Sequence, residues 1–152
     1  MKAEELMIGD WVMVNRSECV ADGGQYFKWQ EVGRIMRLED GIITVRYRDH
    51  EETDTIDWAE EFEKDVKPIP ITPEILEKNG FGGATYLYLE IDECNALQYY
   101  PYEHRLCKIF EGIDEWNNHA KIKEVTFQCQ CFYLHELQHA LRLCGIEKEI
   151  EQ

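Results

Sequence analysis

The sequence predicts an α+β protein in two lobes. Residues 1–71 read as a small bent β-barrel or meander of the SH3-like kind. Residues 72–152 read as an antiparallel sheet packed by a short helix and a terminal helix. Three observations carry the prediction: short apolar strands between tight turns in the first third, a well-capped short helix after Pro68-Ile69-Pro70, and an apolar stripe of helical period over residues 132–144.

The elements follow in order. Leu6 to Val14 is a Gly9-Asp10 turn running into a short apolar strand, and Asp22-Gly23-Gly24 breaks the polar loop behind it. Trp29 to Leu38 alternates loosely. Glu39-Asp40-Gly41 is a hairpin turn of the Asp-Gly type, and Ile42 to Arg48 alternates from Ile43 onward like a half-buried strand. Residues 49–67 are acid-rich and read as a solvated face, within which Trp58 and Phe62 have the i, i+4 spacing of a helical turn over Asp57 to Lys64. Pro68-Ile69-Pro70 is extended, because a proline steers the residue before it away from the helical region, and it reads as the joint between lobes.

Thr72 then caps a helix, with Pro73 in its first position and Glu74 facing the positive end of the dipole. Ile71 and Leu76 are spaced as a hydrophobic staple, and Asn79-Gly80 ends the helix. Strands are predicted over Thr85 to Ile91, Leu106 to Phe110 and Ile122 to Cys129. Phe132 to Cys144 is the terminal helix, closed by Gly145 with Ile146 as its apolar contact.

Composition narrows the class. The chain has 152 residues, with 16 basic and 31 acidic side chains and a net charge of −15. The acid is spread evenly, at −8 over residues 1–71 and −7 over 72–152, so neither half offers the Lys/Arg cluster that direct nucleic-acid binding needs. No apolar run approaches the roughly 18 residues of a membrane span, and the opening MKAEELMIGD lacks the basic start and apolar stretch of an export signal. The expectation is a cytoplasmic protein whose six cysteines are reduced thiols.

One motif offers chemistry. His135-Glu136-Leu137-Gln138-His139 is H-E-x-x-H, in which two imidazoles one helical turn apart bind zinc and the glutamate is the general base. With five histidines, this composition yields such a match by accident at roughly 2%. The helical projection puts Leu134, Leu137, Leu141 and Cys144 on one arc and His135, His139 and Arg142 on the other, so the histidines are expected in or near solvent. A third ligand is hard to find: Arg142 and Gly145 stand where the extended protease pattern needs Gly and His, leaving only Glu147, Glu149 and Glu151 downstream. Cys129 and Cys131 with His135 and His139 form an alternative four-ligand zinc set, although one residue between the cysteines is tighter than common zinc modules. Gly80-Phe81-Gly82-Gly83 runs from helix into strand, the wrong context for a phosphate loop. Tyr99-Tyr100-Pro101-Tyr102, with His104 and Trp116, reads as an inter-strand loop or, in the sharper alternative, a stacking pocket or protein interface.

The segments IPITPEILEKNGF (residues 69–81) and LHELQHALRLCGI (residues 134–146), with the Ile8-Gly9-Asp10-Trp11-Val12 opening, resemble a family of small proteins from gut-commensal bacteria, their prophages and mobile elements. The likeness covers about a quarter of the chain and implies no assigned activity. In that family the position of Glu136 is often glutamine and that of His139 can be asparagine, which implies that the H-E-x-x-H match is incidental.

Three expectations result. The first is a non-catalytic cytosolic binding or accessory protein of phage or mobile-element origin, with no cofactor and an unknown protein partner. The second is a minimal zinc peptidase with His135 and His139 as ligands and Glu136 as base. The third is an acidic nucleic-acid mimic that binds a basic host protein.

Overall fold

The computed structural model describes residues 5–19, 26–47, 58–114 and 120–152. The chain divides into two compact units, Met1–Ile69 and Pro70–Gln152. Antiparallel sheets dominate both, and helices are few, as an α+β protein requires.

In the first unit five strands form one sheet in the order β4-β3-β2-β1-β5. They are β1 (Trp11–Cys19), β2 (Tyr26–Glu39), β3 (Ile42–Tyr47), β4 (Trp58–Phe62) and β5 (Val66–Pro68). Alternation drives the assembly: Ile43, Val45 and Tyr47 are buried, while Ile42 and Arg46 are exposed. They share a core with Leu6, Val12, Val14, Ile35 and Val66. Asp40 and Gly41 both have positive φ, 41° and 83°, the conformation of the hairpin turn that suits twisted strands. The Gly9-Asp10 turn is fastened from both sides: the Asp10 carboxylate accepts the Met7 N–H at 2.7 Å, and its carbonyl accepts the Ile35 N–H at 2.9 Å. Gly33 permits the close crossing of β2 and β3, since a Cβ there would lie 2.2 Å from Val45 Cγ1.

The helical turn expected over Asp57 to Lys64 is a strand instead. Trp58–Phe62 pairs with β3 from Arg46 to Ile42. The i, i+4 aromatic spacing misleads because a strand also returns every second residue to one face. Phe62 lies exposed, whereas Ala59 packs against the core and Glu61 accepts a hydrogen bond from the buried Tyr47 hydroxyl at 2.6 Å. A short 3-10 turn, Glu63–Asp65, then leads into β5 beside β1. The break expected at Asp22-Gly23-Gly24, the acidic residues 49–57 and Trp116 lie outside the described residues.

In the second unit α1 (Pro73–Lys78) forms as its ends dictate. Thr72 Oγ1 accepts the Ile75 N–H at 3.3 Å, Pro73 takes the first position, and Gly80 turns left-handed at φ 82° so that the Phe81 N–H reaches the Leu76 carbonyl at 3.0 Å. Four antiparallel strands follow in sequence order: β6 (Leu87–Glu90), β7 (Asn95–Tyr100), β8 (Arg105–Asp114) and β9 (Ala120–Gln130). Strand β7 has no counterpart among the predicted strands. Its Ala96, Leu97, Gln98 and Tyr99 are all buried, so no alternation of buried and exposed residues marks it. The Asp92 carboxylate shapes the turn before it by accepting the N–H groups of Cys94 and Asn95 at 2.9 and 2.8 Å.

Helix α2 (Leu134–Leu143) ends in the predicted glycine: Gly145 has φ 72°, and the Ile146 N–H reaches the Leu141 carbonyl at 2.9 Å. Lys108 of β8 donates to the Cys144 carbonyl at 3.1 Å, and the Tyr99 hydroxyl of β7 donates to the Cys131 carbonyl at 2.9 Å. Those two bonds place α2 over the sheet face that carries Leu97, Tyr99 and Leu106, where Leu97 pairs with Lys108 and Tyr99 with Leu106 across β7 and β8. Beyond α2, residues 147–152 return to α1, where Asn79 bonds Glu151.

Candidate functional site

The H-E-x-x-H segment lies at the start of α2, where four N–H groups lack helical partners. Tyr133 precedes the helix and offers no capping side-chain oxygen. Glu136 supplies the missing acceptor, its Oε2 taking the Phe132 N–H at 2.7 Å and the Tyr133 N–H at 3.1 Å. This is the glutamate half of a capping box, and the negative charge also sits at the favourable end of the helix dipole.

The histidines occupy different environments. His135 is 4% exposed, which corrects the expectation that both rings lie in or near solvent. Tyr133 stacks on it with ring centroids 5.9 Å apart and planes within 10°. His139 is half-buried and meets His135 edge-on at 5.8 Å. The apolar arc of α2 is as predicted at Leu134, Leu137 and Leu141, but burial extends around the helix to His135, Gln138 and Ala140.

Cys129, at the end of β9, and Cys131, before α2, bring their sulfurs to 3.4 Å. Burial pushes both thiols up, most strongly Cys131, so both stay protonated at neutral pH. His135, His139 and the two cysteines are the residues available to a soft metal ion. Among the described residues, however, no three His, Cys, Asp or Glu side chains converge as a ligand group.

The tyrosine cluster is divided between the two sheet faces. Tyr99 points toward α2, and its hydroxyl also lies 3.2 Å from His104 Nδ1. Burial pushes its phenol up to about 12. Tyr100 lies on the opposite face, with the Arg105 guanidinium 4.5 Å from its ring centroid and Tyr86 at 5.7 Å. Tyr102 is 97% exposed.

That opposite face carries a feature the sequence did not single out. A groove of about 640 Å³ runs between the Gly82–Thr85 loop and the sheet, lined by Tyr86, Tyr88, Gln98, Glu111 and Lys123. The loop is held by reciprocal backbone bonds between Gly82 and Tyr88 at 2.8 and 2.7 Å. Lys123 and Glu111 pair at 3.0 Å across its floor, a bond that raises the lysine's pKa, while Tyr100 donates to the side-chain Oε1 of the buried Gln98 at 2.8 Å. Aromatic rings beside a fixed ion pair suit a ligand that stacks and hydrogen-bonds.

No family model, curated protein or solved structure matches this chain.

The first unit has a smaller groove of about 490 Å³, lined by Asn15, Ser17, Lys28, Gln30 and Lys67 among others. Nearby, the Arg16 guanidinium lies 4.6 Å from the Tyr47 ring centroid and 3.1 Å from Glu31. Only the alternation of β1 and β2 could have signalled this grouping, because Arg16 and Trp29 are direct cross-strand partners.

Proposed function

We propose that this chain is a non-catalytic binding or accessory protein of the cytosol, of phage or mobile-element origin, which acts on a protein partner. The engagement of Glu136 carries this reading. A general base aims its carboxylate at the reacting water, whereas here Oε2 holds two backbone N–H groups at the start of a helix, which gives the side chain a structural task. Glutamine at this position would keep the same acceptor, which fits a capping role. We read the first unit as a small SH3-like barrel: its strand order, with β5 returning to the edge of β1, supports that architecture.

Thermal unfolding with and without a strong zinc chelator tests the proposal. The two transitions are expected to coincide, and a chelator-induced drop in Tm of about 4 °C or more, equivalent to at least about 1 kcal/mol at this size, contradicts it.

The second reading, a minimal zinc peptidase, is favoured by the contact of the His135 and His139 rings across one turn of α2. It requires that Glu136→Gln abolish hydrolysis while zinc stays bound. Equal activity of the variant eliminates it.

A further inference from the structure

The segment after α2 is held in a way that suggests a binding site. Along residues 147–152 exposure alternates with period two: Glu147, Glu149 and Glu151 face out, while Ile150 is 1% exposed. That pattern marks an extended chain. The segment pairs with none of the described strands. Instead, two buried side-chain amides read its backbone. Gln138 of α2, 7% exposed, donates from Nε2 to the Lys148 carbonyl at 3.0 Å and accepts the Ile150 N–H at 2.8 Å. Asn79, 5% exposed at the end of α1, donates from Nδ2 to the Glu151 carbonyl at 2.6 Å and accepts the Glu151 N–H at 2.8 Å.

Each amide therefore uses both its donor and its acceptor on a neighbouring backbone, as strand addition does, and one aliphatic side chain of the segment, Ile150, is buried. The geometry reads main chain plus one aliphatic residue, while the side chains of Glu149 and Glu151 on either side lie exposed. If the segment left, two buried amides would lose these partners, which favours replacement by another chain of the same form over an empty groove.

We propose that the groove between α1 and α2, lined by Asn79 and Gln138, is a peptide-binding site that residues 147–152 occupy in cis, and that its partner in trans is an extended peptide with a branched aliphatic residue at the position of Ile150. The proposal deepens the binding reading by naming a partner class, and it rests on that reading. Chelator and zinc measurements bear on the binding reading and peptide titration on this groove, so the two can fail separately.

The probe is a fluorescein-labelled peptide with the sequence of residues 146–152, IEKEIEQ, titrated against the full chain by anisotropy. Wild-type protein should bind weakly, because its own segment competes at an effective concentration in the millimolar range. Ile150→Asp in the full chain should release that segment and tighten peptide binding at least tenfold. The same peptide with aspartate at the Ile150 position should not bind, and adding Gln138→Ala to the released chain should weaken binding tenfold or more. No tightening in a folded Ile150→Asp chain overturns the proposal. So does equal binding of the aspartate peptide. Hydrogen exchange on the wild-type chain gives an answer even if that variant fails to fold. The Ile150 and Glu151 amides should exchange faster than that of Leu97 in β7, and equal rates would make the segment part of the core and overturn the proposal.

Discussion

Two adjacent stretches of α2 use polar side chains in opposite ways. Glu136 acts locally, its carboxylate bound to N–H groups three and four residues earlier. Gln138 acts at a distance, its amide bound to Lys148 and Ile150, ten and twelve residues later. In the H-E-x-x-H pattern Glu136 is an essential position, and Leu137 and Gln138 are the two unspecified ones. The structure distributes consequence the other way: Leu137 is fully buried, Gln138 holds a remote segment, and Glu136 finishes one helix end. A short motif match identifies which residues are spaced for a reaction, and only the partners of each side chain identify what the residue does.

That contrast can be broken or sharpened by substitution. Leu137→Ala should have the largest effect, a loss of about 2–5 kcal/mol in chemical denaturation, because the site is enclosed and leaves a cavity. Gln138→Ala should cost about 1–3 kcal/mol, since the Ile150 N–H is left buried without its acceptor. Glu136→Ala should cost only about 1 kcal/mol, the usual worth of a cap. Glu136→Gln should change stability by a few tenths of a kcal/mol, as the amide oxygen still accepts. If Glu136→Ala proved more damaging than Gln138→Ala, the local–remote contrast would be reversed.

A separate expected effect, confined to alkaline pH, is a pH dependence at Tyr99. Its phenol is raised to about 12 by burial, against 10 in the unfolded chain. Above pH 10 the unfolded chain ionises first, so stability is full below pH 10 and declines as pH rises toward 12. Tyr99→Phe should flatten part of that decline in alkaline denaturation curves. An unchanged slope would show that other groups govern it. Tyr47 of the first unit is raised in the same direction, by desolvation and by its bond to Glu61, so some slope should remain.

The parts of the fold legible in the sequence are those determined within a few residues. Asp40-Gly41 adopts the positive φ pair its turn needs, Thr72 and Pro73 start α1, and Gly145 ends α2. Strand β3 was legible because one of its faces is buried and the other is not. Strand β7 was hidden because burial on both faces erases that contrast. Trp58 and Phe62 fit two periodicities, and pairing with β3 decided between them. In the candidate site, the spacing of His135, Glu136 and His139 was visible, but the burial of His135 was not. The capping role of Glu136 was obscured because Tyr133, a residue with no capping oxygen here, occupies the position where Ser, Thr, Asp or Asn would have announced it. The Gln138 and Asn79 contacts join side chains to backbone up to 72 residues away and leave no periodic trace.

The proposed reading gives Glu136 the task of capping α2 and gives His135 and His139 no catalytic metal to hold. The most direct test is the zinc content of the protein purified without added metal, measured by elemental analysis on the wild-type chain and on His139→Ala. The account predicts well under one equivalent per chain in both. One equivalent in the wild type that disappears in His139→Ala would contradict it.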